Sequence, residues 1–171
     1  MAIARVAGQN SGNRASSTSV TVAMPGNVTS GNVVIVVSVS YRNGAAPGNH
    51  AVTKTAGTGT IGTVINDRRY SFNSGAAYIV LEINRVPITG SGSLTLQVAS
   101  ASADSVAMGL NEYSGLNTLD GASVTNTGSG TTESTGNITG HAGGLMVGGA
   151  TELESGTIAH TSLSDVLVYE N

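Results

Sequence analysis

"NVVIVVSVSY", residues 32–41, is the stretch on which the fold turns. Its first half, Val33 to Val37, is apolar without a break, and every residue in it is β-branched. Branching at Cβ crowds the preceding turn of a helix but suits a pleated strand. A half-exposed strand would alternate polar and apolar residues. An unbroken run has to be covered on both faces. The run is far shorter than the ~20 residues that span a bilayer as a helix. It reads as a central strand of a buried sheet.

The neighbouring segments read the same way. "STSVTVAM" turns Val20, Val22 and Met24 to one face, and Pro25-Gly26-Asn27 follows as a turn. "RNGAAPGN" (42–49) is a loop, and "HAVTKTA" (50–56) and "TIGTVIN" (60–66) read as a pair of short strands. "AAYIVLEINR" (76–85) places Tyr78, Val80 and Glu82 on one face and Ile79, Leu81 and Ile83 on the other. "SLTLQVAS" (93–100) alternates Leu94, Leu96 and Val98. "SVAMGLNEY" (105–113) aligns Val106, Met108 and Leu110, with Glu112 in phase. "GASVTNT" (121–127) is a thin strand, "GSGTTESTGN" (128–137) a loop, and "GLMVGGAT" (144–151) a strand with glycines where another backbone comes close. "SGTIAHTS" and "SDVLVYEN" close the chain. No segment holds a 3.6-residue period for ten residues. About ten short strands predict an all-β, single antiparallel β-sandwich over residues 1–171.

Composition narrows the function. Charged residues make up 10% of the 171, so Gly, Ser, Thr and Asn must supply the polar surface, as in strands joined by tight turns. Net charge is −3 and the longest cationic run is Arg68-Arg69, which argues against nucleic acid, whose binding rests on many phosphate contacts. Cysteine is absent, so disulfides, thiolate zinc sites and a Cys nucleophile are excluded. The N-terminus, "MAIARVAGQNSGNR", has no apolar core of a signal peptide, and a leaderless, non-membrane protein is expected.

The order of these features resembles a jelly-roll-like β-sandwich module found in phage virion (capsid decoration) proteins and in bacterial surface proteins. The resemblance runs from about residue 5 to residue 150, through "GNVVIVVSVSY", "AVTKTAG", "AAYIVLEI", "SGSLTLQV", "EYSGL" with "LD" close behind, and "GGLMVGGA". Its most specific part is "EYSGLNTLD", which makes Glu112, Tyr113, Ser114, Gly115, Leu116 and Asp120 a fold signature. Members commonly carry Trp and a final long aromatic strand. This chain has no Trp, one Phe, and stops at Asn171. The expectation is an incomplete last sheet, with an open edge of the kind that a neighbouring subunit can complete.

Candidate chemistry is sparse. Glu112 reads as a strand-end acid accepting from backbone N–H groups of the following loop, with Tyr113 at the sheet corner. As a general acid it would need a second carboxylate about 5–9 Å away, from Asp104, Asp120 or Glu82. "GTGTIG" (57–62) matches the dinucleotide glycine pattern, but "TVINDRRYSF" behind it is no helix, so it reads as a turn. His50, His141 and His160 stand singly and read as loop or strand-surface residues. Asp67, Asp104 and Asp120 are loop acids without the clustering of a Ca²⁺ loop. Tyr70 and Phe72, beside Arg68 and Arg69 in a loop, form the best contact platform, and a sugar ring is the alternative ligand there. Residues 1–15, with Arg5 and Arg14, read as an N-terminal arm gripping a partner, or as a first strand with a frayed end. No catalytic residue, cofactor or metal is expected, and the protein is expected not to be an enzyme.

The resemblance implies a virion structural protein, specifically a capsid decoration or cement protein of a bacteriophage. It would be made in the host cytoplasm and placed on the capsid exterior. Its partner would be the major capsid protein, and its state a homo-oligomer, as a trimer. A carbohydrate- or cell-surface-binding module of a tail fibre or adhesin is the alternative.

Overall fold

The computed structural model describes residues 3–116 and residue 147. They contain no helix. Nine strands follow in order: β1 (Ala4–Ala15), β2 (Ser19–Ala23), β3 (Val33–Asn43), β4 (His50–Ala56), β5 (Thr60–Ile61), β6 (Ile65–Ser74), β7 (Ala77–Gly90), β8 (Thr95–Ser100) and β9 (Ser105–Ser114). Every pairing among them is antiparallel. The larger sheet runs β1-β9-β3-β7, and β6 and then β5 continue along the far edge of β7. The smaller sheet runs β2-β8-β4. The two pack face to face as an antiparallel, jelly-roll-like β-sandwich.

β3 occupies the position its sequence predicts. It is hydrogen-bonded to β7 on one edge and β9 on the other, and Val33 to Ser40 are all buried. Alternation sends Val34 and Val36 into the space between the sheets, where they meet Val86, Leu96, Val98, Met108 and Leu110. Burying one such side chain is worth about 1.5–3 kcal/mol. The odd residues Val33, Ile35 and Val37 gather with Tyr113 on the opposite face, and Ile3, Ile83, Leu116 and Val147 pack onto them. The strand is therefore core on both faces.

Three expectations need correction. Residues 50–56 and 60–66 do not pair with each other: β4 pairs with β8, and β5 pairs with β7. Both are amphipathic enough to sit at a sheet edge, and each joins the edge its connecting chain can reach. Residues 67–74 are not a loop but most of β6, whose register with β7 runs from Ile65↔Arg85 to Ser74↔Ala77. Of the two readings of residues 1–15, the arm gives way to the first strand: residues 4–15 are β1, laid along β9 from Ala4↔Ser114 to Ala15↔Val106. β7 also runs longer than its apolar stretch, through Pro87 to Gly90. Pro87 stands where the partner of β7 changes from β6 to β5, and an interrupted ladder tolerates a residue without an N–H. The segments 121–127, 128–137 and 144–151 and the last two segments lie outside the described residues, Val147 excepted.

"GTGTIG" is a close backbone approach. Gly57 has φ +97°, and a Cβ there would run into the backbone of Ser93. Gly59 donates its N–H to the Ser93 carbonyl at 2.8 Å. Gly57→Ala is expected to destabilise the fold by about 3 kcal/mol, from left-handed strain with steric overlap added. Chemical denaturation of the variant checks this.

Candidate functional site

The inner faces of four strands change from apolar to polar toward the same end of the sandwich. β3 passes from Val34 and Val36 to Ser38 and Ser40, and β7 from Val86 to Asn84 and Glu82. β8 ends on Ser100, and β4 begins on His50. The registers Ser38↔Glu82 and His50↔Ser100 bring these side chains together. All six are buried.

His50 is the centre of this cluster, not a surface residue. Its Nδ1 lies 2.7 Å from Ser38 Oγ and its Nε2 lies 2.7 Å from Ser40 Oγ. Ser100 Oγ stands 3.3 Å from Ser40 Oγ and 2.8 Å from the Gly48 carbonyl. Ser100 faces both oxygens as the donor, and each ring nitrogen of the neutral imidazole has one serine hydroxyl as its partner. Burial, with the Arg69 guanidinium second, pushes the His50 pKa down from 6.5 to about 4.

Glu82 ties the neighbouring backbone. Its Oε1 accepts from the His50 backbone N–H and from Arg69 Nε, both at 3.2 Å, and its Oε2 accepts from Asn66 Nδ2 at 2.5 Å. Among the described residues no carboxylate oxygen is bonded to the imidazole. A nucleophile–base array needs a third group orienting the ring, and here both ring nitrogens are spent on serines. As built, the cluster holds β3, β4, β7 and β8 together.

Glu112 closes the opposite end, and its partners differ from those expected. Its Oε1 accepts from the Thr29 backbone N–H at 2.9 Å and from Asn32 Nδ2 at 2.7 Å, on the connection before β3 and not on the loop after β9. Tyr113 points to the other face and is fully buried; its hydroxyl has no partner among the described residues. Burial pushes the Tyr113 pKa up to about 12, partly offset by Arg5. Gly115, at φ +74°, turns the chain so that Leu116 lands on the same outer cluster. The phrase "EYSGL" is thus an inner fastener, an outer plug and a turn. Asp120 lies outside the described residues, as do His141 and His160. Glu82 and Glu112 are separated by four residues along β3, about 13 Å, and by two strand spacings, about 10 Å.

The two expected contact regions lie on different strands. Arg5 and Arg14 lie on β1, at the opposite margin of the larger sheet from β6. Within β6, Arg68, Tyr70 and Phe72 share the outer face with Ile83, Leu81 and Ile79. Arg69 turns inward onto Glu82, because a bulge at Asp67 shifts the register by one residue. Asp67 itself pairs with Arg85 at 2.6 Å, and Asp104 accepts from the Asn43 N–H at 2.8 Å. No group of three His, Cys, Asp or Glu that would hold a metal occurs among the described residues. A half-open cavity of about 170 Å³ lies beside Asn32, Val33, Ile65, Arg85, Pro87 and Leu116. Ligand sites usually start near 300 Å³.

Sequence reasoning missed the His50 cluster, although a signal existed. Ser38 and Ser40 keep the phase of Val34 and Val36, Glu82 that of Val80, and His50 that of Val52. Polar residues in the buried phase of several strands must meet one another or remain unsatisfied. Comparison with protein-family models, with curated proteins and with solved structures found no match to the chain.

Two outcomes follow from this geometry. Glu112→Ala strands the part-buried Thr29 N–H and Asn32 amide, at a cost of about 1 kcal/mol for each. Glu112→Gln keeps one acceptor oxygen and should cost less, and urea unfolding of both variants makes the comparison. The second concerns pH. The folded-state pKa of His50 lies below its ordinary value, so the folded protein binds fewer protons than the unfolded chain between pH 6.5 and about 4. Its contribution is complete above pH 6.5 and is lost as pH falls toward 4, on the order of 3 kcal/mol in all. A series of unfolding midpoints over that window, flattened in His50→Gln, is the expected result.

Proposed function

We propose that this protein is a non-enzymatic phage virion structural protein, a capsid decoration or cement protein that lies across neighbouring capsid subunits and stabilises the shell. One observation carries the reading. Most of the buried polar side chains of the described residues hold strands to one another, while the outward residues of the smaller sheet's described strands carry no charge. That face presents Ser19, Thr21, Ala51, Thr53, Gln97 and Ala99 in register. Covering it against another protein buries no ion. Its short side chains lose little rotamer freedom on contact. The resemblance carried by "EYSGLNTLD" supports the virion setting, and a trimer on the capsid exterior with the major capsid protein as partner is the arrangement that accompanies it. Many symmetric copies let modest contacts add up.

A second reading is favoured by one feature. Tyr70 and Phe72 stand two residues apart on one face of β6, each half-buried, with Arg68 in line. Such a row suits a sugar ring, as in a surface-binding module of a tail fibre or adhesin.

Light scattering should return the mass of a trimer, and the protein should co-sediment with capsids at about one copy per capsid subunit. Thr21→Arg together with Thr53→Arg should reduce co-sedimentation by about tenfold, which is 1.4 kcal/mol, with the melting temperature unchanged. Binding to a glycan array that Tyr70→Ala abolishes, with no capsid binding, would establish the second reading in place of the first.

A further inference from the structure

We propose that the His50 cluster is an acid-operated latch: protonation of the ring frees strand β4 and the connection ahead of it from the larger sheet while the apolar core keeps the rest folded. The argument starts from how weakly β4 is otherwise held. Among the described strands it pairs with β8 alone. Its inward residues are His50, Val52 and Lys54, so Val52 is its single apolar anchor in the core. The other ties across to the larger sheet are polar and gather at its first residue. His50 bonds Ser38 and Ser40 through its ring and Glu82 through its N–H, and Arg69 reaches the Pro47 carbonyl at 3.5 Å.

A proton on the ring breaks this arrangement. Both ring nitrogens would then be donors and both serines acceptors, which leaves the hydroxyl of Ser38 to find another partner. The only other acceptor for its hydroxyl among the described residues is the Glu82 carbonyl, 3.5 Å away, too long for a strong bond. The charges facing the ring offer no relief. On β7, Glu82 already has both oxygens engaged; on β6, Arg69 repels a second cation. β3 and β8 contribute only Ser38, Ser40 and Ser100, residues 44–49 carry no charge, and Lys54 on β4 itself is another cation. The depressed pKa of His50 accords with this geometry. The ring takes up its proton far more readily when β4 has opened, so acid favours the opened form.

Hydrogen exchange of the full chain, corrected for intrinsic rates, tests this between pH 7 and pH 4. The β4 amides should exchange about tenfold to a hundredfold faster relative to the β2 amides at pH 4, following the titration of the His50 ring read by NMR. In His50→Gln the ratio between the two strands should stay constant. Equal acceleration of β4 and β2, a pH-dependent ratio in the Gln variant, or ring protonation without release of β4 would each overturn the latch. If the Gln variant does not fold, the paired ring titration and exchange of the unaltered protein decide.

Discussion

Strand β3 is bound on both edges and covered on both faces, and the remaining elements are arranged to make that possible. Two hydrogen-bonded neighbours, β7 and β9, satisfy its backbone. The smaller sheet covers the Val34 and Val36 side, and the cluster around Tyr113 covers the Val33, Ile35 and Val37 side. A run of this kind has no exposed solution: left open on either face it would present a contiguous apolar patch to water. The sandwich is the packing that removes both faces from solvent while every strand keeps a partner.

The interior thus created is not uniform. At one end Glu112 accepts from the turn that leads into β3, and at the other His50, Glu82 and three serines form a closed set of donors and acceptors. Buried polar groups cost stability unless each has a partner, so such sets act on specificity: they fix register and strand order where apolar side chains alone would tolerate sliding. Only Asn84 Nδ2, Glu112 Oε2 and the Tyr113 hydroxyl are left without partners among the described buried side-chain atoms.

Much of the fold was legible in the residues. Val20, Val22, Leu94, Leu96, Val98, Val106, Met108 and Leu110 all point inward as their alternation indicates, because a period of two admits one buried face. The strand through 67–74 was not legible. "DRRYSFNS" is rich in loop-formers and has no apolar alternation, yet it is a strand because β7 offers it a complete edge. Propensity is overridden when a neighbouring ladder supplies the hydrogen bonds. The candidate site divides in the same way. Glu112 was recognised as a backbone acceptor, but the loop it serves was misplaced, since its partners are 80 and 83 residues away in the chain. His50 reads as exposed when it is taken alone, although it keeps the buried phase of Val52.

By itself the sequence determined the class: β-branched runs, period-two alternation, Gly and Asn turns and few charges leave room for strands and little else. It also determined which face of each strong strand is buried, because that follows from neighbours two residues away. Only the tertiary structure decided which strands lie side by side, and with that which polar residues meet. A single-residue bulge at Asp67 sends Arg69 rather than Arg68 onto Glu82. Such an outcome depends on register between segments far apart in the chain, where one step exchanges the two faces, and nothing within either segment encodes it.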